Sequence, residues 1–538
     1  MLPASVAAYT SPMAPFSPRP RGLIWLLVTV ALAISAPVLA ADERARLLVT
    51  NTILLSAAVA AASMLLGAPL AFVLVRTDAP CRKAVGLALA AMLFVPLYLQ
   101  AAAWQAGFGL QGWFTALSGA PLLLDGWRGA IAIHTLAAIP WVVLIVSAGL
   151  ALVEPELEEN ALLDASPGGV FRRVTLARAA VALAAALLWV AVTTAGEMTV
   201  TDLFQIRTYA EQLYTEFALG DAFGVAPWKL LPSILAAGWI VVAALVLTSR
   251  LTPPDRHVSE RRGLVFRLGR WRAPTGLAAL GAVGLLVGIP VGSLVVKAGM
   301  IVTRHEQGLV RNWSAGRCAA MTFGSPARFS REFGWSLVIA ALAATAAVAV
   351  GLVLAWNARR GGPRAGPAWL AVALGLALPG PLVGLGLIAV FNNPDWPWLI
   401  ALYDHSIAVI WIAQSVRALP LCTLVLWYAL RTIPVDVLDS ATLEGAGPAT
   451  RLLRIALPQR WPAVAAAWLV ALAIAWGELS ASILVVPPGV TTLPIQIFGL
   501  IHYGVDDRVA GIALVVMAAF FTLSATILAI VRRARNRQ

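Results

Sequence analysis

TIPVDVLDSATLEGAGPATRLLRIALPQRWP, residues 432–462, is a polar segment between two long apolar runs. Pro434 and Pro458 bracket it, and the carboxylate of Asp439 suits the positive end of a short helix. Gly445 permits a sharp turn into a second short helix. Such a segment can lie across the membrane surface and dock in a groove on a soluble partner. A single amphipathic loop is more simply interpreted as an interfacial helix.

The composition of the chain is that of a membrane protein. Of its 538 residues, 60% are hydrophobic and 12% are charged, and the mean hydropathy is +0.84. Soluble domains have about 25% charged residues, so the solvent of this chain is the lipid bilayer. A span needs about 20 apolar residues, and this criterion predicts an all-α protein with about twelve transmembrane helices. They are placed at 22–40, 47–75, 84–105, 129–153, 179–203, 229–249, 274–297, 333–357, 368–391, 406–431, 463–486 and 509–531.

The positive charge has a topological explanation. The formal net charge is +13, which in a soluble protein suggests nucleic-acid binding. Most Lys and Arg fall in alternate loops, as they do on the cytoplasmic side of membrane proteins. We therefore expect no nucleic-acid partner, and a multi-pass protein of a bacterial inner membrane with cytoplasmic N- and C-termini. The run 22–40 also resembles a signal peptide, but the spans that follow favour an uncleaved first helix. The outside segment 298–332 is basic too, which this rule does not explain.

The chain is an internal duplication. Arg76 matches Arg360 at an offset of 284, and Glu197 matches Glu478 at an offset of 281. Six helices in each half make the two repeats parallel, with a pathway expected between them. The predicted organisation is a cytoplasmic tail 1–21, a first half 22–249, an Arg-rich cytoplasmic linker 250–273, a second half 274–531 and a cytoplasmic tail 532–538.

The segment 432–462 resembles the loop signature of binding-protein-dependent ABC importer permeases. That pattern is Glu-Ala-Ala, three residues, Gly, nine residues, then Ile, any residue, Leu and Pro. The matching positions here, with Asp for Glu and Ser for Ala, are Asp439, Ser440, Ala441, Gly445, Ile455, Leu457 and Pro458.

The loop 154–178 occupies the equivalent place in the first half, and its signature is degenerate. The aligned positions are Glu158, Glu159, Asn160, Asp164, Val174 and Leu176. A shift of one residue, starting the triad at Glu159, restores an alanine at Ala161. The duplicated position supports the assignment of both loops.

The resemblance implies a type I importer permease, in which each loop is a coupling helix. Its implied partners are two ABC ATPase subunits in the cytoplasm and one periplasmic solute-binding protein, and the first helix of each half is expected to be peripheral. Pro96-Leu97-Tyr98-Leu99 and the pair Pro379 and Pro381 are similar to fused ferric-iron importer permeases. Fe³⁺ is therefore the expected cargo, with thiamine, sulfate, polyamines or phosphonates as alternatives. A secondary transporter of the major facilitator class is a more distant alternative, although residues 76–83 lack its charged signature.

Ionisable residues within spans are functional candidates. Glu197, Asp202, Arg417 and Glu478 are the candidates for a polar lining of the pathway. Alternatively, Arg417 pairs with one of the two glutamates as a static bridge.

The chain lacks the motifs of several enzyme classes. It has no Gly-x4-Gly-Lys-Ser/Thr loop and no His-Glu-x-x-His pair. We therefore expect no catalytic residue, cofactor or metal site, and ATP hydrolysis by a separate subunit. The wide spacing of Cys81, Cys318 and Cys422 argues against a disulfide.

Overall fold

The computed structural model describes residues 43–119, 121–219, 264–305, 308–362 and 365–536. The predicted tail 1–21, the spans 22–40 and 229–249, and most of the linker 250–273 lie outside the described residues. Within the described residues, eight helices are long and apolar enough to cross a membrane, or up to ten spans if two bent helix pairs each count as one. These ten match ten of the predicted spans, and the all-α membrane fold is confirmed.

The first half begins with a helix of 34 residues, α1 (Glu43–Arg76), as the over-long apolar run predicts. The helices that follow are α2 (Arg82–Met92), α3 (Leu97–Phe108), α4 (Trp113–Ser118), α5 (Gly126–Ala151), α6 (Pro155–Ala161), α7 (Pro167–Ala195), α8 (Thr199–Leu203) and α9 (Tyr209–Ala218).

The second half repeats this order, with an additional segment between its first two long helices. Its elements are α10 (Gly269–Ala298), β1 (Met300–His305), β2 (Gly308–Trp313), α11 (Ala315–Phe323), α12 (Ser325–Arg328), α13 (Ser330–Ala358), α14 (Gly366–Ala377), α15 (Gly380–Phe391), α16 (Pro397–His405), α17 (Ala408–Arg431), α18 (Val435–Leu443), α19 (Pro448–Gly477), α20 (Ser482–Val485), α21 (Leu493–His502) and α22 (Asp507–Asn536). The last helix continues into the predicted tail 532–538.

Two predicted spans, 84–105 and 368–391, are broken rather than continuous. The chain bends by 107° between α2 and the helices that follow it, and by 111° between α14 and α15. Pro96 and Pro379 start the second helix of each pair, with ψ of 147° and 149°. Proline has no N–H for the helix and disfavours helical geometry in the residue before it, so each span stops there.

Two further predicted spans, 179–203 and 463–486, end early. Helices α7 and α19 stop at Ala195 and Gly477, and the short helices α8 and α20 follow after a break. The breaks contain Glu197 and Glu478, which therefore do not lie within continuous helices.

Helices α5 and α17 lie at the centre of their halves. The most apolar windows of these two helices are 56% and 50% buried, against 22–39% for the other candidate spans. Helix α5 packs against α1 and α7, and α17 packs against α13 and α19. The duplication seen in the sequence is thus also a duplication of packing.

The two halves interlock. Helix α3 of the first half packs against α10 and α22 of the second half. Leu99, Leu294 and Phe520 share this cluster and are fully buried. Fully buried alanines of α3, such as Ala102 and Ala106, permit the close approach of helices that lipid cannot drive together.

The basic segment 298–332 forms the antiparallel hairpin β1–β2 and two short helices. Arg317 pairs with Asp507 of α22, and Arg311 donates to the carbonyl of Ala116 at 3.4 Å. Arg331 donates to the carbonyl of Gly489 at 2.6 Å. Its positive charges therefore anchor the segment to both halves, which accounts for the charge that topology did not explain.

Candidate functional site

Glu197 and Glu478 satisfy backbone groups at the two helix breaks. Glu197 accepts from the N–H groups of Thr199 at 2.6 Å and Val200 at 3.0 Å, in the first turn of α8. Glu478 accepts from the N–H groups of Ala481 at 2.7 Å and Ser482 at 2.9 Å, at the start of α20. The side-chain hydroxyls of Thr199 and Ser482 also donate to them. Each carboxylate therefore stabilises the N-terminus of a short helix that follows a long apolar one.

The surroundings of the two glutamates differ. His134 Nε2 lies 3.2 Å from Glu197 Oε2, and its Nδ1 lies 2.8 Å from the carbonyl oxygen of Ala130. The counterpart of His134 in the second half is Gln414, which contacts Ser482 Oγ at 3.4 Å. Sequence analysis missed His134. The available signal was that the equivalent position in the second half, Gln414, is also polar.

Arg417 does not pair with a glutamate. Its Nη1 donates to the carbonyl of Leu378 at 2.7 Å and approaches that of Gly375 at 3.4 Å, at the break between α14 and α15. Of the ion pairs within the described residues, none joins Arg417 to Glu197 or Glu478. The static bridge stays a prediction, because the charge of Glu478 still acts on Arg417 without a direct ion pair. Arg417 instead binds carbonyls near the end of α14.

The breaks of one half contact those of the other half. A Cβ atom added at Gly477 would lie 2.5 Å from Cγ of Pro96, and one added at Gly196 would lie 3.7 Å from Cα of Pro379. The glycine that follows or ends each long helix therefore lies against the proline break of the opposite half. This crossed contact is one of the places where the two halves meet.

A small cavity opens beside the contact between Gly477 and Pro96. Its volume is about 140 Å³. It is lined by Leu93, Phe94, Val95, Pro96, Trp141, Ala473, Ile474 and Gly477. The lining has no ionisable side chain, and two of its members are aromatic.

Asp202 bridges the halves at a second place. Its Oδ2 lies 2.9 Å from Nε2 of His502, at the end of α21. His502 is a functional candidate that sequence analysis did not select. Asp202 comes near Glu211 but is not in contact with Arg417 or Glu478 in the described structure.

The loop 432–462, predicted as the second coupling loop, forms two short helices joined at Gly445. The φ angle of Gly445 is 84°, and Ala446 donates to the carbonyl of Ala441 at 2.9 Å while Gly445 donates to that of Thr442 at 3.0 Å. This is the left-handed glycine C-cap of a helix, which the spacing of the signature predicts. The first loop turns differently, because Asp164 is not among the residues with positive φ.

Both loops lead into the next span through a wider π-helical turn. These turns cover Phe171–Thr175 and Arg451–Ala456. Such turns are often found at functional sites. The sequence pattern did not predict them.

The predicted coupling residues divide into an exposed and a buried set. The exposed set is Glu159, Asn160, Asp164, Leu176, Asp439, Ser440, Gly445 and Pro458. The buried or half-buried set is Glu158, Val174, Ala441, Ile455 and Leu457. Two residues that the signature does not include, Leu163 and Leu443, are 84% and 90% exposed at the tips of the loops.

Comparison with known proteins supports these features. Residues 347–537 match the family described as binding-protein-dependent transport system inner membrane component. The second half of the chain therefore resembles the binding-protein-dependent ABC importer permeases. Its fold is that of the type I permeases, and it is a multi-pass inner-membrane protein. The matched residues include the second coupling loop but not the first.

Three relatives indicate the range of the family. The putrescine transport system permease protein PotI of Escherichia coli K12 is 30% identical over 192 residues, which are 35% of this chain and 66% of PotI. The putative 2-aminoethylphosphonate transport system permease protein PhnV of Salmonella paratyphi A is 28% identical over 29% of this chain and 57% of its own length. The spermidine/putrescine transport system permease protein PotC of E. coli K12 is 29% identical over 18% of this chain and 38% of PotC. In each case the match covers less than two thirds of the relative.

Proposed function

We propose that this chain is the permease subunit of an ATP-driven importer and supplies both halves of the pathway. In this proposal two ATP-hydrolysing subunits bind the loops 154–178 and 432–462 in the cytoplasm, where both termini also lie. A periplasmic binding protein delivers a small solute to the opposite face. The predicted halves, 22–249 and 274–531, remain part of the proposal.

The observation that carries this proposal is the pair of exposed loop tips. Leu163 and Leu443 are 84% and 90% exposed, each beside a short helix with acidic residues. Exposed apolar side chains surrounded by polar residues suit a groove on a soluble protein. Since the tips lie in equivalent loops, two copies of one partner fit them.

For the cargo we favour a small organic amine. The relatives named for putrescine, spermidine and 2-aminoethylphosphonate handle solutes that each contain an amino group. The cavity between the halves contains Phe94 and Trp141. An ammonium group is attracted to the face of an aromatic ring.

Ferric iron is the second candidate, supported by the resemblance of the motifs at Pro96 and Pro379. Hard cations bind carboxylate oxygens. However, the carboxylates of Glu197 and Glu478 are already occupied by backbone N–H groups. The described residues contain no group of three or more His, Cys, Asp or Glu that could hold a metal ion.

Copurification tests the assignment as a permease. The tagged full chain is purified from its native membrane in mild detergent and assayed for bound ATPase activity. The wild type should retain an ATP-hydrolysing subunit, and Leu443→Glu should lose it. The matched control is Trp398→Glu, which changes a side chain that is 64% exposed at the start of α16, on the proposed external side. If the chain alone transports solute on an ion gradient and no ATPase copurifies, the secondary transporter takes the place of this proposal.

Competition tests the cargo. Proteoliposomes of the copurified complex should accumulate either labelled putrescine or labelled 2-aminoethylphosphonate. An excess of the other, unlabelled amine should not reduce that uptake. Uptake of ⁵⁵Fe³⁺ with no uptake of either amine would favour iron.

A further inference from the structure

The acids of the two coupling loops pair with arginine in very different surroundings. Arg76 Nη1 lies 3.0 Å from Glu158 Oε2, and Arg360 Nη2 lies 2.8 Å from Asp439 Oδ1. The side chains of the first pair are 1% and 0% exposed, and those of the second are 49% and 56% exposed. These are equivalent pairs in the repeat. The pair Arg76–Glu158 is sealed, meaning that it is buried from solvent, and the pair Arg360–Asp439 is exposed.

Residues 264–268 of the inter-half linker 250–273 cover the pair Arg76–Glu158. The N–H of Leu264 donates to Glu158 Oε2 at 3.3 Å, and the N–H of Phe266 donates to the carbonyl of Arg76 at 2.8 Å. Phe266 of the linker also forms an isolated β-bridge with Thr77. This segment therefore covers the carboxylate of Glu158. No described residues cover Asp439 in this way.

A hydroxyl completes the first site and is missing from the second. Thr175 Oγ1 donates to Glu158 Oε1 at 2.6 Å, so both oxygens of Glu158 have donors. The residue 281 positions later, at the place of Thr175 in the second loop, is Ala456, which has no donor to offer. In the described structure, Arg360 is the side chain that contacts the carboxylate of Asp439.

Burial decides which pair can open. A buried pair that loses a partner leaves an uncompensated charge, whereas an exposed pair contributes little and exchanges partners easily. We propose that the coupling loops have unequal roles. The first loop is a rigid platform whose acid never contacts the ATPase. The second presents Asp439 to a positive group of the ATPase, which takes the place of Arg360 during the cycle. This inference rests on the proposed function, because it requires an ATPase subunit on each loop.

The test uses the complex copurified from its native membrane, with two readouts for each variant. These are the rate of ATP hydrolysis per assembled complex and the apparent melting temperature. An exposed pair contributes at most about 1 kcal/mol, so Asp439→Asn should change the rate by up to about fivefold with no shift in melting temperature. Glu158→Gln should lower the melting temperature, because it leaves the buried guanidinium of Arg76 without its charged partner.

Two further variants keep the test decisive if Glu158→Gln does not fold. Thr175→Ala removes one hydrogen bond from the sealed pair and should produce a smaller shift in melting temperature with an unchanged rate. The double exchange Arg360→Asp with Asp439→Arg rebuilds the pair within the chain but reverses the charge offered to the ATPase. The proposal expects no recovery of the wild-type rate from this exchange.

The inference is overturned if the double exchange restores the rate, or if Asp439→Asn leaves it unchanged. It is also overturned if Thr175→Ala changes the rate at an unchanged melting temperature. Failure of any ATPase to copurify with the wild type would instead defeat the proposed function, and the inference with it.

Discussion

Replacing Gly477 by alanine should push the two halves apart at their crossed contact, while the same change at Gly196 should be tolerated. A Cβ atom at Gly477 would lie 2.5 Å from Cγ of Pro96, a distance that real Cβ contacts do not reach. At Gly196 the nearest atoms are the carbonyl oxygen of Val192 at 3.6 Å and Cα of Pro379 at 3.7 Å, which are ordinary contacts. Neither glycine has a positive φ, so backbone strain does not distinguish them.

The magnitude follows from overpacking. An added methyl group in a well-packed core costs about 1–3 kcal/mol. Alanine has the higher helix propensity by up to about 1 kcal/mol, which offsets part of this cost at the end of α19. We therefore expect Gly477→Ala to lower the free energy of unfolding by about 1–2 kcal/mol and Gly196→Ala to change it by less than about 0.5 kcal/mol.

The assay is denaturant unfolding of the purified full chain in mild detergent, followed by tryptophan fluorescence. A double-mutant cycle with Pro96→Ala isolates the contact, because alanine lacks the Cγ atom that the new methyl group meets. The two changes should be non-additive by about 1 kcal/mol. Equal costs for the two glycine variants, or additivity within about 0.5 kcal/mol, would refute the crossed contact.

Three other changes test the loops and the breaks. Gly445→Ala places a side chain at a φ of 84° and should destabilise the second loop by about 1 kcal/mol, seen as faster proteolysis there. Gly447→Ala, at a φ of −69° with open space around it, is its neutral control. Glu478→Gln removes the charge that accepts backbone N–H groups and should cost about 1–3 kcal/mol in the same unfolding assay, whereas a free pathway carboxylate would cost almost nothing. The hydrogen bond that His502 donates to Asp202 raises the pKa of His502, so this pair stabilises the contact between the halves fully below about pH 6.5. That stabilisation is lost as the pH rises through the raised pKa, and Asp202→Asn should abolish this dependence of the melting temperature.

The helix breaks show where sequence reasoning stopped short. Pro96 and Pro379 were recognised as motif residues, but the apolar runs around them continue, so each run was predicted as one straight span. Hydropathy measures whether a segment prefers lipid and carries no information on its direction. The backbone geometry at proline decides the bend.

The candidate site was predicted in part. Glu197 and Glu478 were found because intramembrane acids at equivalent repeat positions are rare. Their use as acceptors for the first turns of α8 and α20 was not foreseen, because those short helices lie within the predicted spans. Arg417 was found because an ionisable residue within a span is a functional candidate, and its partners are backbone carbonyls, which no side-chain pattern reveals.

The amino-acid sequence by itself determined the membrane class, and it predicted the duplication and the turn at Gly445 in the loop 432–462. These depend on composition, on fixed offsets along the chain and on local spacing around Gly445. The tertiary structure alone decided that Gly477 meets Pro96 and that residues 264–268 seal Glu158. Leu264 and Glu158 are 106 positions apart in the chain. Helices in lipid find their partners through close packing and buried polar contacts, and no hydrophobic periodicity marks the face that will be covered.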